Sequence, residues 1–501
     1  MEIKYIDLFC GAGGLGEGFK QAGYKSAFHI DSDKWAINTI RLREIYYQLK
    51  SQGKLDIYYN TIKTSNDPLS PELFYDNDSI DMNAIISKAS TLTIDDNTVK
   101  ELINRLHSNH NSNSTSVIIG GPPCQAYSLA KRSRMRKPLV GLKGTKLKQA
   151  KAEHEERVEK YLSDERHALF EHYLEIIYNL KPAAFVYENV PGILTAQKKS
   201  GEKSTAKIIN LFNEDLNKRA GGYEFISIDS PTQMKISLAV DDKTRDFKDF
   251  IVDASDYGIP QKRKRFMLIG IRKDLSNKKG TNYQEIFESA VSKYKVSEKV
   301  RVKDAILDLP RIQSGEGKDY FLKRKYGTIR SDYSDQIACP DLGGVMNHFA
   351  RKHMPKDLER YHFFADYAKN TGKNATLHDL VKNNKNLLPK HKSAQDVLAD
   401  EPEKKQSARY IDRFKVQLKE KPASTITAHI AKDGHAYIHP SVKQNRSLTV
   451  REAARLQSFP DDYAFCGPRT EQFRQVGNAV PVLLARVIAT GIKKVLESCD
   501  G

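Results

Sequence analysis

The sequence of 501 residues is poor in cysteine and has no long hydrophobic run. Its five cysteines are odd in number and far apart, which argues against a disulfide framework or a zinc ribbon and favours a reduced, cytoplasmic setting. The absence of C-x-x-C and H-E-x-x-H patterns leaves a metal site without support. No apolar run reaches the roughly 20 residues of a membrane span, and the first residues, MEIKYIDLFCG, predict a strand rather than a signal peptide. The sequence therefore predicts a cytoplasmic protein without a membrane partner.

Acidic residues are in deficit. The chain has 81 Lys and Arg against 63 Asp and Glu, a formal net charge of +18. Such an excess favours a polyanionic partner, because each Lys or Arg placed on a phosphate releases a condensed counterion. A basic protein with no nucleic-acid role is the alternative, and charge alone leaves both open.

Short apolar strands alternate with helices over the first 290 residues. Strands are predicted at 3–9, 25–30, 117–119, 183–187, 223–228, 251–254 and 266–271. Helices are predicted at 15–21, from Asp33 to Leu49 and from Asp164 onward, whereas 51–100 is irregular in pattern. This alternation predicts an α/β fold with a Rossmann-like, doubly wound, mostly parallel sheet. Ligands of such sheets bind at the carboxyl ends of the strands.

The alternation disappears from about residue 290 to 450, which predicts a second, smaller, loop-rich domain. Regular patterning returns at LTVREAARLQSF (448–459), predicted to be an amphipathic helix. A last helix is predicted from Pro481 to about Leu496. We expect a first domain at 1–290, to which 471–501 return, and a second at 291–470.

The stretch DLFCGAGGLGEGF (7–19) contains G-x-G-x-x-G, the dinucleotide-binding pattern. Asp31 lies twenty residues after Gly11, where that pattern has an acid for a ribose hydroxyl. Alone, the pattern leaves open NAD, another nucleoside cofactor or no ligand at all.

Two further motifs follow predicted strands. In GGPPCQAYS (120–128), Cys124 is either a small buried hydrophobic residue or a nucleophile whose direction the two prolines fix. In FVYENVPG (185–192), Glu188 is either the cap of a turn or an acid beside Cys124.

Two more motifs come later in the chain. QKRKR (261–265) is either a solvated basic edge or a set of site arginines entering a strand. QVGNAVP (475–481) is predicted to be a Gly-Asn turn that opens the last helix. Such a turn could have a purely structural role.

Together and in this order, the motifs closely resemble those of the cytosine-C5 DNA methyltransferases of bacterial type, which use S-adenosyl-L-methionine. The resemblance covers residues 3 to about 272 and 420 to 497. The matching segments are Phe9-Cys10-Gly11-Ala12-Gly13, Pro123-Cys124-Gln125, Glu188-Asn189-Val190, Gln261 with Arg263 and Arg265, 451–460, and Gly477-Asn478-Ala479-Val480.

The resemblance implies a chemistry that needs these residue types together. Carbon 5 of cytosine is a poor nucleophile until Cys124 adds to C6 and Glu188 donates a hydrogen bond or proton to N3. Arg265 suits the cytosine O2, and Arg263 supports the same pocket. The target base must be flipped out of the duplex. The implied catalytic residues are Cys124, Gln125, Glu188, Asn189, Arg263 and Arg265.

The resemblance also implies a site for S-adenosyl-L-methionine, with Asp31 on the ribose hydroxyls and Phe9 on the adenine. The implied cofactor-binding residues are Phe9, Gly11, Gly13, Gly14, Asp31, Pro123, Asn478 and Val480. The acid that usually reads the adenine edge is not evident, and Asp81 and Asp95 are its candidates. No metal is implied.

The implied function is methylation of carbon 5 of cytosine in a specific sequence of double-stranded DNA, within a restriction-modification system. Residues 291–470 are then the target-recognition domain, a cognate restriction endonuclease is an expected partner, and the enzyme is expected to be a monomer. The segment 131–151, with nine Lys and Arg and no acid, is either a phosphate-binding loop or a solvated surface loop. ARKHMPKDLERYH (350–362) holds further candidate phosphate or base contacts.

Three other functions compete with this interpretation. Methylation of transfer RNA is disfavoured by the long recognition region and by the PPCQAYS sequence. An NAD oxidoreductase would leave Cys124, Glu188 and Arg265 without a role. A DNA-binding protein without catalytic activity would have no use for the same motifs.

Overall fold

A computed structural model describes residues 2–108, 116–123, 169–195, 197–200, 204–207, 222–229, 247–275, 281–327, 330–390, 392–398 and 411–499. The strands are β1 Lys4–Leu8, β2 Lys25–Asp31, β3 Ala89–Thr91, β4 Ser116–Gly120, β5 Ala184–Asn189, β6 Gln197–Ser200, β7 Ser204–Lys207, β8 Tyr223–Ile226, β9 Ile251–Asp253, β10 Lys264–Arg272, β11 Gly317–Leu322 and β12 Val345–Phe349. The α-helices are α1 Gly14–Gln21, α2 Lys34–Ser51, α3 Leu55–Thr64, α4 Met82–Lys88, α5 Val99–Ser108, α6 Leu169–Leu180, α7 Tyr283–Val291, α8 Val302–Ile306, α9 Asp332–Ile337, α10 Pro355–Thr371, α11 Leu377–Asn384, α12 Lys392–Gln395, α13 Val450–Leu456, α14 Arg469–Asn478 and α15 Val482–Cys499.

The main sheet has eight strands in the order β3-β2-β1-β4-β5-β10-β8, with β9 paired to β10. The five strands from β3 to β5 are parallel to their neighbours, and β10 is antiparallel to β5, β8 and β9. The buried, β-branched sequence Ser116–Gly120 suits a central strand that is covered on both faces. This arrangement confirms the predicted mostly parallel α/β sheet.

Helices cover both faces of the sheet, as a doubly wound fold requires. On one face α15 packs against α1 and α7, and their apolar side chains form one core cluster with the sheet. On the other face α5 packs against α6 in a second cluster. The helix predicted from Asp33 is found as α2, where the Asp33 carboxylate caps the helix by accepting from the Trp35 backbone N–H at 2.8 Å. Among the described residues, no helix combines the length and apolarity needed to cross a bilayer.

Although 51–100 is irregular in sequence pattern, this segment forms α3, α4, β3 and the start of α5. Polar residues hide the pattern, since only one narrow side of each helix is apolar. In α3 and α4 that side builds a third core cluster with the two-stranded sheet β11–β12. The cluster's larger members are Tyr46, Tyr58, Ile62, Phe74, Phe321 and Met346.

Polar contacts reinforce this third cluster between distant parts of the chain. The Lys63 ammonium donates to the Asp341 carbonyl at 3.2 Å, and the Cys339 thiol lies 3.3 Å from the Tyr59 hydroxyl. Asn347 ties β12 to the end of the chain, because its side-chain amide donates to the Phe465 carbonyl at 3.0 Å.

The region from 291 to 470 contributes to several cores, since β11–β12 belongs to the third cluster just described. Its beginning and end, including α8 and α13, share the core cluster of the main sheet. Its middle has a small cluster of its own, in which α10 and α11 pack against 414–416 and Ile438. The long helix α10 was missed in the sequence because its apolar positions are few and separated by charges.

Helix α13 lies in the predicted 448–459 segment, but it is not amphipathic, because all seven of its residues are buried. Its charged side chains are paired inside the protein. Arg455 bonds to Asp308 and Asp461, and Glu452 accepts from Arg446 at 2.7 Å. Burial opposes ionisation of Glu452, yet the Arg446 guanidinium holds the pKa of that carboxyl well below its usual range.

The predicted Gly-Asn turn also differs from the structure. Gly477 and Asn478 are the last residues of α14, and Pro481 directly precedes α15. No Cβ fits on Gly477, because it would lie 2.3 Å from the Ala428 backbone nitrogen. The glycine therefore allows α14 to contact the 427–428 backbone.

Candidate active site

Four neighbouring strands bring the sequence motifs to one edge of the sheet. Leu8 in β1 lies opposite Ile30 in β2 and Gly120 in β4, and Gly120 lies opposite Tyr187 in β5. Because these strands are parallel and in register, the segments that follow them emerge side by side. The glycine loop, the predicted ribose acid, the residues before the nucleophile and the Glu-Asn pair thus share this edge.

Glu188 and Arg265 form an ion pair, with 2.8 Å between Arg265 Nε and Glu188 Oε1. Both side chains are about one-eighth exposed, at 12% each. β10 runs antiparallel beside β5 with Met267 opposite Glu188, and this pairing carries Arg265 to the end of β5. The two residues therefore present a carboxyl group and a guanidinium together at the strand ends.

The Glu188 carboxyl also lies against the loop that leads to the predicted nucleophile. A Cβ on Gly121 would lie 2.6 Å from Glu188 Oε2, so only glycine allows this approach. Asn189 fixes the same loop, because its side-chain amide donates to the Pro122 carbonyl at 3.2 Å. Pro123 is exposed beside them. Cys124, Gln125 and the basic segment 131–151 lie outside the described residues.

Arg263 is fully buried and bonds to backbone carbonyls. Its guanidinium donates to the carbonyls of Ile426 at 2.6 Å, Ala479 at 2.8 Å and Gly477 at 3.2 Å. These contacts join β10 to the end of α14 and to the 426 segment. Arg263 thus has the contacts of a positioning residue, two positions before Arg265.

The glycine loop opens onto free space. Gly11 has a φ of +50°, and a Cβ placed on it would meet nothing within 4 Å. Its backbone N–H donates to Asp31 Oδ2 at 2.8 Å, while Asp31 Oδ1 accepts from the Asp33 N–H at 2.8 Å. Burial raises the pKa of Asp31, and the two backbone donors oppose that shift. The loop and the carboxylate are therefore held together beside an open volume.

The other two glycines of the loop serve close packing. A Cβ on Gly14 would lie 2.2 Å from the Val480 carbonyl oxygen, so the start of α1 touches the chain between α14 and α15. A Cβ on Gly13, which has a φ of +74°, would lie 2.3 Å from Ile40 Cδ1. Val480 is buried against this loop, and Asn478 is exposed at the end of α14.

Phe9 also has a left-handed backbone, with a φ of +57°, and packs half-buried against the core cluster beneath α5 and α6. A positive φ on a phenylalanine is unfavourable and concentrates at functional sites. It turns the chain from β1 into the glycine loop.

Asp81 and Asp95, the two candidates for the adenine edge, each bond to backbone N–H groups of their own segments. Asp81 caps α4 by accepting from the Ala84 N–H at 2.9 Å, and Asp95 accepts from the Thr98 N–H at 3.0 Å. These bonds engage each carboxylate locally, and the residue that reads the adenine edge stays open. The strand beside β2 is β3, which places Thr91 opposite Asp31.

Tyr463 holds the glycine loop in place, and this contact was missed in the sequence. The Tyr463 hydroxyl donates to the Ala12 carbonyl at 2.6 Å inside the loop, and both residues are buried. No local pattern marks Tyr463. Within the described ranges, no group of three or more histidine, cysteine, aspartate or glutamate side chains could hold a metal ion.

Comparison with known proteins agrees with this arrangement. The family model described as C-5 cytosine-specific DNA methylase matches residues 3–67, 88–225 and 246–494. The Type II methyltransferase M.Bpa9945I of Bacillus paralicheniformis is 34% identical over 516 residues, which cover 98% of this chain and 99% of the relative. The Type II methyltransferase M.DdeI of Desulfomicrobium norvegicum is 27% identical, over 99% of this chain and 90% of the relative.

A solved structure shares the fold. It is a prophage-encoded protein of E. coli described as a DNA modification methyltransferase, with a TM-score of 0.54 and 20% identity, and the match covers 99% of this chain and 100% of that chain. The family model and the Bacillus relative both span most of the chain. The protein therefore belongs to the C-5 cytosine-specific DNA methylases and is a DNA (cytosine-5-)-methyltransferase.

Proposed function

We propose that this enzyme methylates a flipped-out cytosine in a specific sequence of double-stranded DNA through a covalent bond between Cys124 and C6. The Glu188–Arg265 pair carries this proposal, because its 2.8 Å contact lies beside the loop that ends at Cys124. Methyl transfer to carbon 5 needs a nucleophile, an acid and an anion stabiliser at one base, and these are the residue types present.

The chemistry assigns each side chain a task. The Cys124 thiolate adds to C6 while Glu188 donates a hydrogen bond or proton to N3, which makes C5 nucleophilic. Arg265 stabilises the negative charge at O2. Once C5 carries the methyl group, loss of the C5 proton expels Cys124 and restores the aromatic ring. Arg263 and Asn189 hold the strand and loop that carry these groups, and Gln125 is assigned to the same site by its place next to Cys124.

S-adenosyl-L-methionine supplies the methyl group when it is bound, and the glycine loop fits it. No described atom beyond the adjacent residues lies within 4 Å of where a Cβ on Gly11 would be, so we propose that the ligand approaches the backbone there, which a side chain would hinder. Asp31 presents a carboxylate at the end of β2 for a ribose diol. We assign the remaining cofactor contacts to Phe9, Gly13, Gly14, Pro123, Asn478 and Val480.

The names of the relatives support a role in a Type II restriction-modification system. On this proposal a cognate endonuclease cuts the unmethylated sequence, and the enzyme acts in the cytoplasm as a monomer. Target recognition belongs to 291–470, whose middle part has a separate core. The 131–151 segment then binds DNA phosphates near the flipped base.

The covalent step can be tested by trapping. The enzyme is incubated with S-adenosyl-L-methionine and duplexes that carry 5-fluorocytosine in varied contexts, because fluorine at C5 prevents the proton loss that frees Cys124. A denaturation-resistant adduct is expected, and Cys124→Ser should abolish it. Glu188→Gln should slow its formation. Failure to trap the enzyme in any context would refute the covalent mechanism.

A second measurement separates DNA from RNA as substrate. Bisulfite sequencing of DNA from a host that expresses the enzyme should show methylation at one sequence and reveal that sequence. Transfer RNA from the same cells should stay unmethylated by this enzyme. Methylation confined to RNA would overturn the choice of DNA.

A further inference from the structure

Two arginines lie together where the recognition region meets α14. Arg351, just after β12, places its guanidinium carbon 4.7 Å from the ring centre of Phe473. Arg469 begins α14 and lies 5.1 Å from the ring centre of Phe349. Stacking on aromatic rings orients a guanidinium without neutralising its charge.

Neither arginine has a carboxylate within ion-pair distance among the described residues. Arg351 is only 9% exposed, and its Nη2 donates to the Ile430 carbonyl. Its Nε has no hydrogen-bond partner. Burial lowers the pKa of Arg351 to about 10, and the neighbouring positive charge of Arg469 adds to this shift.

The nearest acids do not neutralise this pair. The negative charge of Asp433 raises the pKa of Arg351, but Asp433 is itself paired with Arg413 at 2.8 Å. Burial raises the pKa of Asp319, although the positive charge of Arg469 opposes that shift. Two close cations, one of them buried, are unfavourable until an anion joins them.

Nearby arginines show what a purely structural role looks like here. Arg446 is completely buried and pairs with Glu452 at 2.7 Å, and Arg455 pairs with both Asp308 and Asp461. These side chains have carboxylates inside the protein. Arg351 and Arg469 have no such ion pair among the described residues, and Arg351 has one carbonyl partner there where the buried Arg263 has three.

Arg351 contacts the same two segments that Arg263 binds. The Phe473 ring, on which the Arg351 guanidinium stacks, lies on α14 about one helical turn before Gly477. The Gly477 carbonyl accepts a hydrogen bond from Arg263. One turn is about 5.4 Å along the axis. Arg351 also binds the 430 carbonyl, four residues after the Ile426 carbonyl that Arg263 binds.

We infer that Arg351 and Arg469 together bind one backbone phosphate of the substrate duplex, beside the flipped cytosine. This inference rests on the proposed DNA substrate and adds a contact that fixes the register of the duplex. Guanidinium groups match the geometry of phosphate oxygens, and phosphate contacts position a protein on DNA without reading its sequence. The exposed Lys352 and Lys356 extend the same positive surface.

The test compares the salt dependence of DNA binding. Binding of a fluorescent duplex of mixed sequence is measured against salt concentration for the intact enzyme, Arg351→Met, Arg469→Met and the double variant. Arg474→Met is the matched control, because Arg474 lies on the same helix but pairs with Glu471 at 3.0 Å. Affinity for S-adenosyl-L-methionine is measured for each variant to show that the catalytic domain is intact.

Loss of one phosphate contact should reduce the slope of log affinity against log salt by about 0.9 in the double variant. At fixed salt the duplex should bind about tenfold more weakly. Arg474→Met should keep the original slope, as should the affinity of every variant for S-adenosyl-L-methionine. An unchanged slope in the double variant would overturn the inference while the trapping experiment still supports the function. No salt-dependent duplex binding by the intact enzyme would overturn both.

Discussion

Gly11→Ala should separate cofactor binding from folding. Gly11 has a left-handed backbone and open space where a Cβ would lie. Gly53, at the end of α2, matches it, with a φ of +70° and nothing within 4 Å of a Cβ. Gly53 is remote in sequence from the strand-end motifs, so Gly53→Ala is the control.

The two substitutions should cost similar stability for the same reason. An alanine in the left-handed region is strained by about 1 kcal/mol, so each variant should unfold at slightly lower urea concentration. Only the Gly11 methyl group would occupy the space assigned to S-adenosyl-L-methionine. Crowding of about 2 kcal/mol there would weaken cofactor binding about 30-fold.

Isothermal titration calorimetry with S-adenosyl-L-methionine measures that difference, and urea denaturation measures the shared strain. Gly53→Ala should bind the cofactor as the unaltered enzyme does. Equal cofactor affinity in Gly11→Ala and Gly53→Ala would refute the assignment of the open space to the cofactor.

Three further outcomes follow from single contacts. Tyr463→Phe removes the donor to the Ala12 carbonyl, which should cost about 1 kcal/mol and weaken cofactor binding about fivefold in calorimetry. Arg265→Met removes the partner of Glu188 and should lower the methylation rate about 10²- to 10³-fold with unchanged cofactor affinity. Burial lowers the pKa of His348 to about 4 in the folded protein. As the pH falls below 6.5, this imidazole is protonated in the unfolded chain but stays neutral in the folded one, so the free energy of unfolding decreases. Lowering the pH from 6.5 to 5 should reduce the free energy of unfolding by about 2 kcal/mol through this group. Urea denaturation at the two pH values should therefore show the difference in unfolding free energy between the unaltered enzyme and His348→Gln decrease by that amount.

The sequence was informative wherever a local pattern has one physical cause. The glycine loop, the helix cap at Asp33 and the apolar strands are each set by a few adjacent residues, and each was predicted close to its observed position. Parallel strands then bring Asp31 and Glu188 to one edge, which follows from the α/β alternation without any tertiary contact being known.

Other features depend on partners far away in the chain. Tyr463 reaches Ala12 across 451 residues, so no spacing rule could find it. The polar residues of α13 predicted a side that faces solvent. In the structure Glu452 and Arg455 are buried, and other segments contribute their ion-pair partners. The capping roles of Asp81 and Asp95 likewise required the helices of 51–100, whose apolar sides are too narrow to recognise.

The third core cluster bears on how such enzymes could acquire new specificities. Residues 55–85 precede the 291–470 region by more than 200 positions, yet they pack against β11–β12 and contact 339–342. A chimaera that exchanged only 291–470 with a relative would therefore place a foreign strand pair on an unmatched surface. On the proposed assignment of target recognition to 291–470, we expect an exchange of recognition sequences to give a folded enzyme only when 55–85 is exchanged together with 291–470.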